Sequence, residues 1–530
     1  MEALRSETAA GGVARDGGPA ATPGVLVFVG FMGAGKSSSA RSVAAELRTP
    51  ALDSDRELEA RLGEPIESFF DREGEPAFRA REEEVVLELL AGAGPGGVVA
   101  LGGGATGSQH VRDALRSHTV VHVEVTPDEA WRRATGKGRP LARDRGRFDQ
   151  LHADRRAVYE SLAHAMLPPA GRDLARRALG SLVALRDART AGADSLRLLW
   201  ARSASGDYPV FTGRGLIAHG FFHPADGRRF AVTDEHVAGL HRVAAEHTVA
   251  IPAGERAKVL QTVELVLSRL AEAGAERGDV VAAVGGGVVG DLAGLCAALY
   301  QRGMRHVQVP TSLVAQVDAA YGGKTGVDLP EGKNYAGVYH QPSAVLCDPA
   351  ALDTLPAEEH AAGYAEVVKK ELVAGGRLWA LVRQGGEVSE EVILGCARTK
   401  VDVVTDDERD AGRRQVLNLG HTVAHAIETA TGYARYRHGE AVGIGLLCAL
   451  RLSGRDALRE EVAGLLGARG LPLAFAGAQP QDVAALCDRD KKRAGGRVPF
   501  VLVEAHGEVT GGHVVPSGEL LAAIEEVHAG

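Results

Sequence analysis

The sequence predicts an α/β chain made of two successive parallel α/β units, the second continuing into a mostly α-helical part. Three observations predict it. A short apolar run, GVLVFVG, leads into the glycine-rich GFMGAGKSS and then an alanine-rich segment of helical period, the strand–turn–helix order of a phosphate-binding unit. A second alternation of apolar runs and helical segments begins near residue 196 and carries its own glycine triplet, in AAVGGGVVGDLAG. From Leu355 onward alanine- and leucine-rich periodic segments dominate, with few strand candidates before VPFVLVEAHGEV.

The chain has 530 residues, 45% of them hydrophobic, enough for several domain-sized cores. The expected organisation is a disordered tail over 1–22, a phosphate-binding α/β domain over 23–180, a linker over 181–194, a nucleotide-binding α/β domain over 195–350 and a helical domain over 351–530. The formal charge is −9 with lysines and arginines spread along the chain, so neither nucleic acid nor a membrane surface is expected as a partner. Small molecules are. The five cysteines are widely spaced and form no CxxC pair, which disfavours a disulfide framework and a thiolate zinc site and suits the cytoplasm. The opening segment lacks the apolar core of a signal peptide, and no apolar run reaches membrane-spanning length.

In the first unit, GVLVFVG, GGVVALGGG and TVVHVEV read as strands, and AFRAREEEVVLELLAG as a charge-rich helix. The glycines Gly30, Gly33 and Gly35 let backbone N–H groups curl around a polyphosphate, with Ser38 beside them. Lys36 reaches the outer phosphates and Ser37 offers its hydroxyl to magnesium. LDSD places Asp53 and Asp55 at a strand end, AFRARE supplies Arg79, and Gly102, Gly103 and Gly104 follow another strand. Carboxylates orient a hydroxyl and hold magnesium, a guanidinium grips a carboxylate, and glycines admit a small ring, so the phosphate acceptor is expected to be small, hydroxylated and anionic.

These motifs resemble shikimate kinase over most of residues 24–165. The resemblance implies Mg2+ with ATP, Asp53 near the magnesium, and Asp55 on the shikimate hydroxyls as a candidate base. It also implies a carboxylate clamp of Arg79 with Arg155 in DRRAVYE, the three glycines lining the same pocket, and Arg139 in GKGRPLARD as a lid arginine. The end of the unit departs from the family: AHAMLPPAGRD is a poor strand, which leaves the adenine side undefined.

In the second unit LRLLWARS, YPVFTG, RRFAVTDE, GDVVAAVGGG and MRHVQVPTS read as strands. Gly286 and Gly287 follow an apolar strand and Asp291 lies in the next helix. Asp234 ends a strand, IPAGERAKVL gives Glu255 and Lys258, and Thr311 with Ser312 ends another strand, a set suited to a dinucleotide. A polar and cationic series follows: Arg302, Asp318, Lys324, Lys333, Asn334, Glu366, Lys369, Lys400, Arg414, Asn418, and Lys491 with Lys492 in DRDKKRAGG. So many cations in one pocket need a multiply anionic guest, and a phosphorylated sugar acid supplies one. LNLGHTVAHAIE sets His421 and His425 four apart on one helix face, with His438 following in RYRHGE. Spacing alone leaves His421 and His425 as a possible paired metal clamp.

Residues 195–530 resemble 3-dehydroquinate synthase, which implies a Rossmann-like NAD domain followed by a mostly α-helical metal-binding domain, with the site between them. On that resemblance Glu366, His421 and His438 hold Zn2+ or Co2+, and His425 stands off the metal in the substrate pocket. Lys333 and Thr354 join the dinucleotide side. Lys324, Asn334, Lys400, Arg414, Asn418 and the Lys491–Lys492 pair bind substrate with Asp318, Lys369 belongs to the catalytic set, and Arg302 reaches in from a second subunit of a homodimer. The whole chain then reads as a fusion acting on shikimate, ATP and 3-deoxy-D-arabino-heptulosonate 7-phosphate. The two reactions are not consecutive in the shikimate route, so transfer of an intermediate between the sites is not expected. The alternatives are another sugar-phosphate cyclase or a polyol dehydrogenase in the second half, and a kinase half reduced to a binding module.

Overall fold

The first apolar run becomes β1 (Leu26–Val29), buried along its whole length because a central parallel strand is covered on both faces. The computed structural model describes residues 24–135, 144–169, 173–222, 227–493 and 500–529. With β2 (Ala51–Asp53), β3 (Val98–Ala100), β4 (Thr119–Val123) and β5 (Ala165–Leu167), β1 forms a parallel sheet in the order β2-β3-β1-β4-β5. The phosphate loop leaves β1 at its C-terminal edge and enters the helix Lys36–Leu47.

One expectation is corrected here. The segment AHAMLPP is a strand after all: Ala165, Met166 and Leu167 are fully buried and pair with β4. Its apolar run is short because only three residues cross the sheet. The linker over 181–194 is helical for most of its length. The helix Leu179–Thr190 covers it and seats Leu182 and Leu185 in the same core cluster as Phe28 and Val121.

The second unit continues the same sheet. β6 (Arg197–Ala201) pairs parallel with β5, and β7 (Tyr208–Thr212) returns antiparallel beside it. β8 (Arg229–Asp234), β9 (His247–Ile251), β10 (Val280–Gly285), β11 (Arg305–Pro310) and β14 (Ala344–Cys347) complete one 12-stranded sheet, ending β6-β7-β14-β11-β10-β8-β9. Between β11 and β14, β12 (Lys324–Leu329) and β13 (Gly332–Tyr339) form an antiparallel hairpin. The two halves therefore share backbone pairing and a core: one cluster runs from Val27 of β1 to Leu198 of β6 and Val307 of β11.

After Leu355 the chain is helical, with helices at Ala357–Ala374, Glu390–Asp406, His421–Ala430 and His438–Leu452 packed around a second core that includes Val368, Ile427 and Leu447. A hairpin at Phe500–Ala505 and Glu508–His513 closes this part, as the run VPFVLVEAHGEV predicts. The helix Glu390–Asp406 also turns Ala397 and Val401 onto Met166 and Leu199, the meeting strands of the two halves.

Candidate active sites

The phosphate loop has the backbone that its glycines allow. Gly30, Gly33 and Gly35 all have positive φ. Lys36 Nζ donates to the Phe31 carbonyl at 3.2 Å, folded back over the loop it would share with a polyphosphate. Ser37 and Asp53 line one cavity of about 210 Å3, which places the two expected magnesium-side groups together. Asp53 also caps the helix Ser54–Leu62 by accepting from Arg56 N–H at 3.3 Å.

Beside it, Arg79 on the helix Ile66–Gly92 pairs with Glu82 at 2.5 Å and Glu75 at 3.1 Å. Arg155, on the helix Arg145–Leu162, stands over the Phe31 ring at 5.9 Å. The glycine run is there for room. A Cβ on Gly104 would lie 2.0 Å from Arg79 Nη1, and one on Gly102 would lie 2.4 Å from Asp55 Oδ1. Asp55 and Arg79 thus lie against Gly102 and Gly104, and Arg155 Nη1 comes within 3.9 Å of where a Cβ on Gly103 would stand. Burial pushes the Glu82 carboxyl up against the pull of Arg79. Arg139 lies outside the described residues.

In the second half, β10 runs through Gly286 into the helix Gly287–Leu299, whose N-terminus is the expected anion seat. A Cβ on Gly286 would crowd Ser312 Oγ at 3.2 Å, so the turn stays open above Ser312 and the buried Thr311. Asp234 closes a turn at the end of β8, accepting from His236 and Val237 N–H at 2.9 and 2.8 Å. Lys258 donates to Asp291 and to Asn334, each at 2.6 Å, while Lys333 faces Glu255 at 3.8 Å. Thr354, at the end of the turn Pro349–Thr354 that follows β14, faces His241 at 2.8 Å. The β12–β13 hairpin carries Lys324, Lys333 and Asn334 into the cleft, with Asn334 in the left-handed region at φ 57°.

The cations are held by matched acids. Lys324 pairs with Asp410. Asp318, on a π-helical turn at Ala315–Ala319, receives Lys400 at 3.0 Å and also Lys370. Burial would raise the Asp318 carboxyl, but Lys370, Lys400 and Lys369 hold it far below its ordinary range. Arg414 is 2% exposed and donates to the backbone carbonyls of Glu408 and Gly322, so it braces the site's wall. Asn418 is exposed at the end of the turn before His421. Arg302 is exposed in a left-handed turn after the helix Gly287–Leu299. The side chains of Lys491 and Lys492 lie outside the described residues.

Glu366, His421 and His438 come together as candidate metal ligands. His421 Nε2 lies 3.4 Å from Glu366 Oε1, and His438 Nε2 lies 3.6 Å from the same oxygen. His421 Nδ1 faces the Leu419 carbonyl at 3.2 Å, which assigns the proton to Nδ1 and turns Nε2 inward. Gly420 makes this possible: its φ is 78°, and a Cβ there would strike Leu446 N at 2.8 Å. One carboxylate and two imidazoles suit zinc or cobalt with an open position. His425, on the same helix face, is exposed, its ring centroid 5.4 Å from that of His421 and 6.0 Å from that of His438. Glu366 also pairs with Lys369 at 2.5 Å.

Sequence reasoning missed Lys370, Asp410 and Glu428. Lys370 is as buried as Lys369, and the two adjacent lysines of VVKKE diverge by helical phase to Asp318 and Glu366. Glu428 ends the quoted stretch LNLGHTVAHAIE. It falls seven residues after His421 and three after His425, so the helix period itself puts it on their face.

Comparison with known proteins finds relatives of both halves. A shikimate kinase family model matches residues 32–178, and 3-dehydroquinate synthase models match residues 248–362 (N-terminal) and 363–493 (C-terminal). The chain is 41% identical to a 3-dehydroquinate synthase of Halorhodospira halophila over 355 residues, 63% of this chain and 100% of the relative. A 3-dehydroquinate synthase of Mesorhizobium japonicum is 42% identical, covering 61% of this chain and 94% of the relative. Among solved structures, 2-epi-5-epi-valiolone synthase from Streptomyces hygroscopicus with NAD+ and Zn2+ bound aligns with a TM-score of 0.55 at 28% identity, over 60% of this chain and 96% of that one. A 2-deoxy-scyllo-inosose synthase shares the fold at a TM-score of 0.55 and 23% identity, over 62% of this chain and 99% of that one. The chain therefore belongs to the 3-dehydroquinate synthase family, with a shikimate kinase domain joined ahead of it.

Proposed function

We infer that the chain is a bifunctional enzyme of the shikimate pathway. One end phosphorylates shikimate with ATP and Mg2+ to shikimate 3-phosphate. The other converts 3-deoxy-D-arabino-heptulosonate 7-phosphate to 3-dehydroquinate and phosphate with NAD and Zn2+ or Co2+. The observation that carries the reading is the convergence of Glu366, His421 and His438 in a cleft lined by Lys324, Lys333 and Lys400. A polyol dehydrogenase has no use for that many cations, because its guest is neutral.

At the kinase site, Lys36 neutralises the outer phosphates while Ser37 and Asp53 serve the magnesium. Asp55 orients the acceptor hydroxyl and takes its proton. Arg79 leaves Glu82 to grip the shikimate carboxylate with Arg155.

At the synthase site, the bound cofactors supply a reversible hydride acceptor and a Lewis acid. Asp234, Glu255, Lys258, Asp291, Thr311, Ser312, Lys333 and the Gly286–Gly287 turn hold the dinucleotide. Lys324, Asn334, Lys400 and Asn418 hold the sugar acid's carboxylate and phosphate with Lys491 or Lys492, on a wall braced by Arg414. Lys369 balances Glu366, and Asp318 keeps Lys400 aimed. His425, free of the metal, bonds substrate and relays a proton at a ring nitrogen.

The five free, buried cysteines fit a reducing cytoplasm. A homodimer through the second half would bring Arg302, beside the exposed Leu299, to a neighbouring cleft; light scattering tests it. The functional test uses one purified chain in two assays. Lys36→Met should lower shikimate phosphorylation by about 100-fold or more and leave phosphate release from the heptulosonate phosphate intact. His421→Ala should do the reverse. Loss of both activities in either variant, with the fold retained, would contradict two independent sites.

A further inference from the structure

Glu428 sits behind the metal centre without an assigned task. It is 1% exposed on the helix His421–Ala430, a position where a carboxylate is expensive unless partnered. Its Oε1 lies 3.4 Å from His438 Nδ1 and 3.1 Å from Lys333 Nζ, while Oε2 is buried with no hydrogen-bond partner. The opposite nitrogen of the same imidazole, Nε2, faces Glu366. Glu366 and Glu428 thus bracket the His438 ring from its two ends. Lys333 comes from the β12–β13 hairpin of the α/β part, so Glu428 is also where that hairpin meets the helical part.

We propose that Glu428 is a positioning residue for the metal. By accepting from His438 Nδ1–H it fixes the tautomer and the ring plane that present Nε2 beside Glu366 and His421. This rests on the metal reading of Glu366, His421 and His438 given above. A carboxylate behind a ligating imidazole also raises its basicity, and removing such a group typically weakens metal binding about 10- to 100-fold. His421 has its own support in the Leu419 carbonyl, so each histidine of the set is aimed through Nδ1, one by a neutral oxygen and one by a charged one. Lys333 offsets part of the buried charge and is not required for the aim.

The test measures Co2+ affinity of the metal-stripped full chain by competition with a chromophoric chelator, together with the visible spectrum of the bound ion. Glu428→Gln should weaken Co2+ by about 10- to 100-fold and shift the spectrum, while Lys333→Met stays within about threefold of wild type. Wild-type affinity in Glu428→Gln overturns the proposal. So does an equal loss in Lys333→Met, which would make Glu428 a clasp for the hairpin alone. If Glu428→Gln folds poorly, seen as lost kinase turnover, Glu428→Asp takes its place: drawing the carboxylate back by one methylene must still weaken Co2+, and unchanged affinity overturns the idea. His421→Ala separates the two failures. Unchanged affinity there removes the metal reading itself and this proposal with it.

Discussion

Arg398 of the synthase half reaches Glu160 of the kinase half at 2.9 Å, and its other guanidinium nitrogen bonds Glu124 at the end of β4. The same helix carries Lys400, which faces Asp318 in the synthase cleft. Together with the β5–β6 pairing, this joins the two enzymes by a shared sheet and a half-buried ion cluster, which a flexible tether would not do.

Arg398→Ala should therefore destabilise both halves. Burial pushes the Glu124 carboxyl up, and Arg398 is the main group opposing it. Removing one member of such a pair costs about 3 kcal/mol or more. Thermal or urea unfolding should show the wild type melting with the halves coupled and the variant melting earlier, with separated kinase and synthase transitions. An unchanged profile would mean that the sheet alone holds the joint.

Gly104→Ala tests the acceptor pocket. The new methyl must displace the Arg79 guanidinium, a flexible group, so folding should survive. With the clamp misplaced, kcat/KM for shikimate should fall by about 100-fold, while the KM for ATP changes little. Equal loss in both would point to a collapsed domain.

Lys400 predicts a proton signature. Burial pushes its ammonium down to about 7, with Asp318 opposing and Lys370 and Arg414 adding to the shift. Below that pH both folded and unfolded chains hold the proton. Between about 7 and the ordinary 10.5 the unfolded chain keeps a proton that the folded chain has lost, so this group adds stability as pH rises through that window. A multiply anionic substrate favours the charged lysine, so binding near pH ~8 should take up close to ~1 proton per site. Calorimetry in buffers of different ionisation enthalpy reads it, and Lys400→Met should remove most of the uptake.

Much of each site was legible because phosphate loops and metal ligands require particular residue types at particular spacings. Asp55 and Arg79 lie against Gly102 and Gly104, and Ser37 shares a cavity with Asp53. The β12–β13 hairpin was not legible: β13 is mostly exposed, so no apolar alternation marks it. β5 escaped notice for a different reason, since a strand three residues long leaves almost no pattern. Its partner β6 lies some thirty residues downstream, and such a pairing is set by tertiary packing. Lys370 and Glu428 needed helical phase as well as composition.

The measurement that tests the central claim most directly is metal content paired with phosphate release for wild type, His421→Ala and His425→Ala. A cage of Glu366, His421 and His438 predicts one Zn2+ or Co2+ per chain in wild type and loss of both metal and turnover in His421→Ala. It also predicts retained metal with lost turnover in His425→Ala. A His425→Ala chain that no longer holds metal, or a His421→Ala chain that still does, would contradict it.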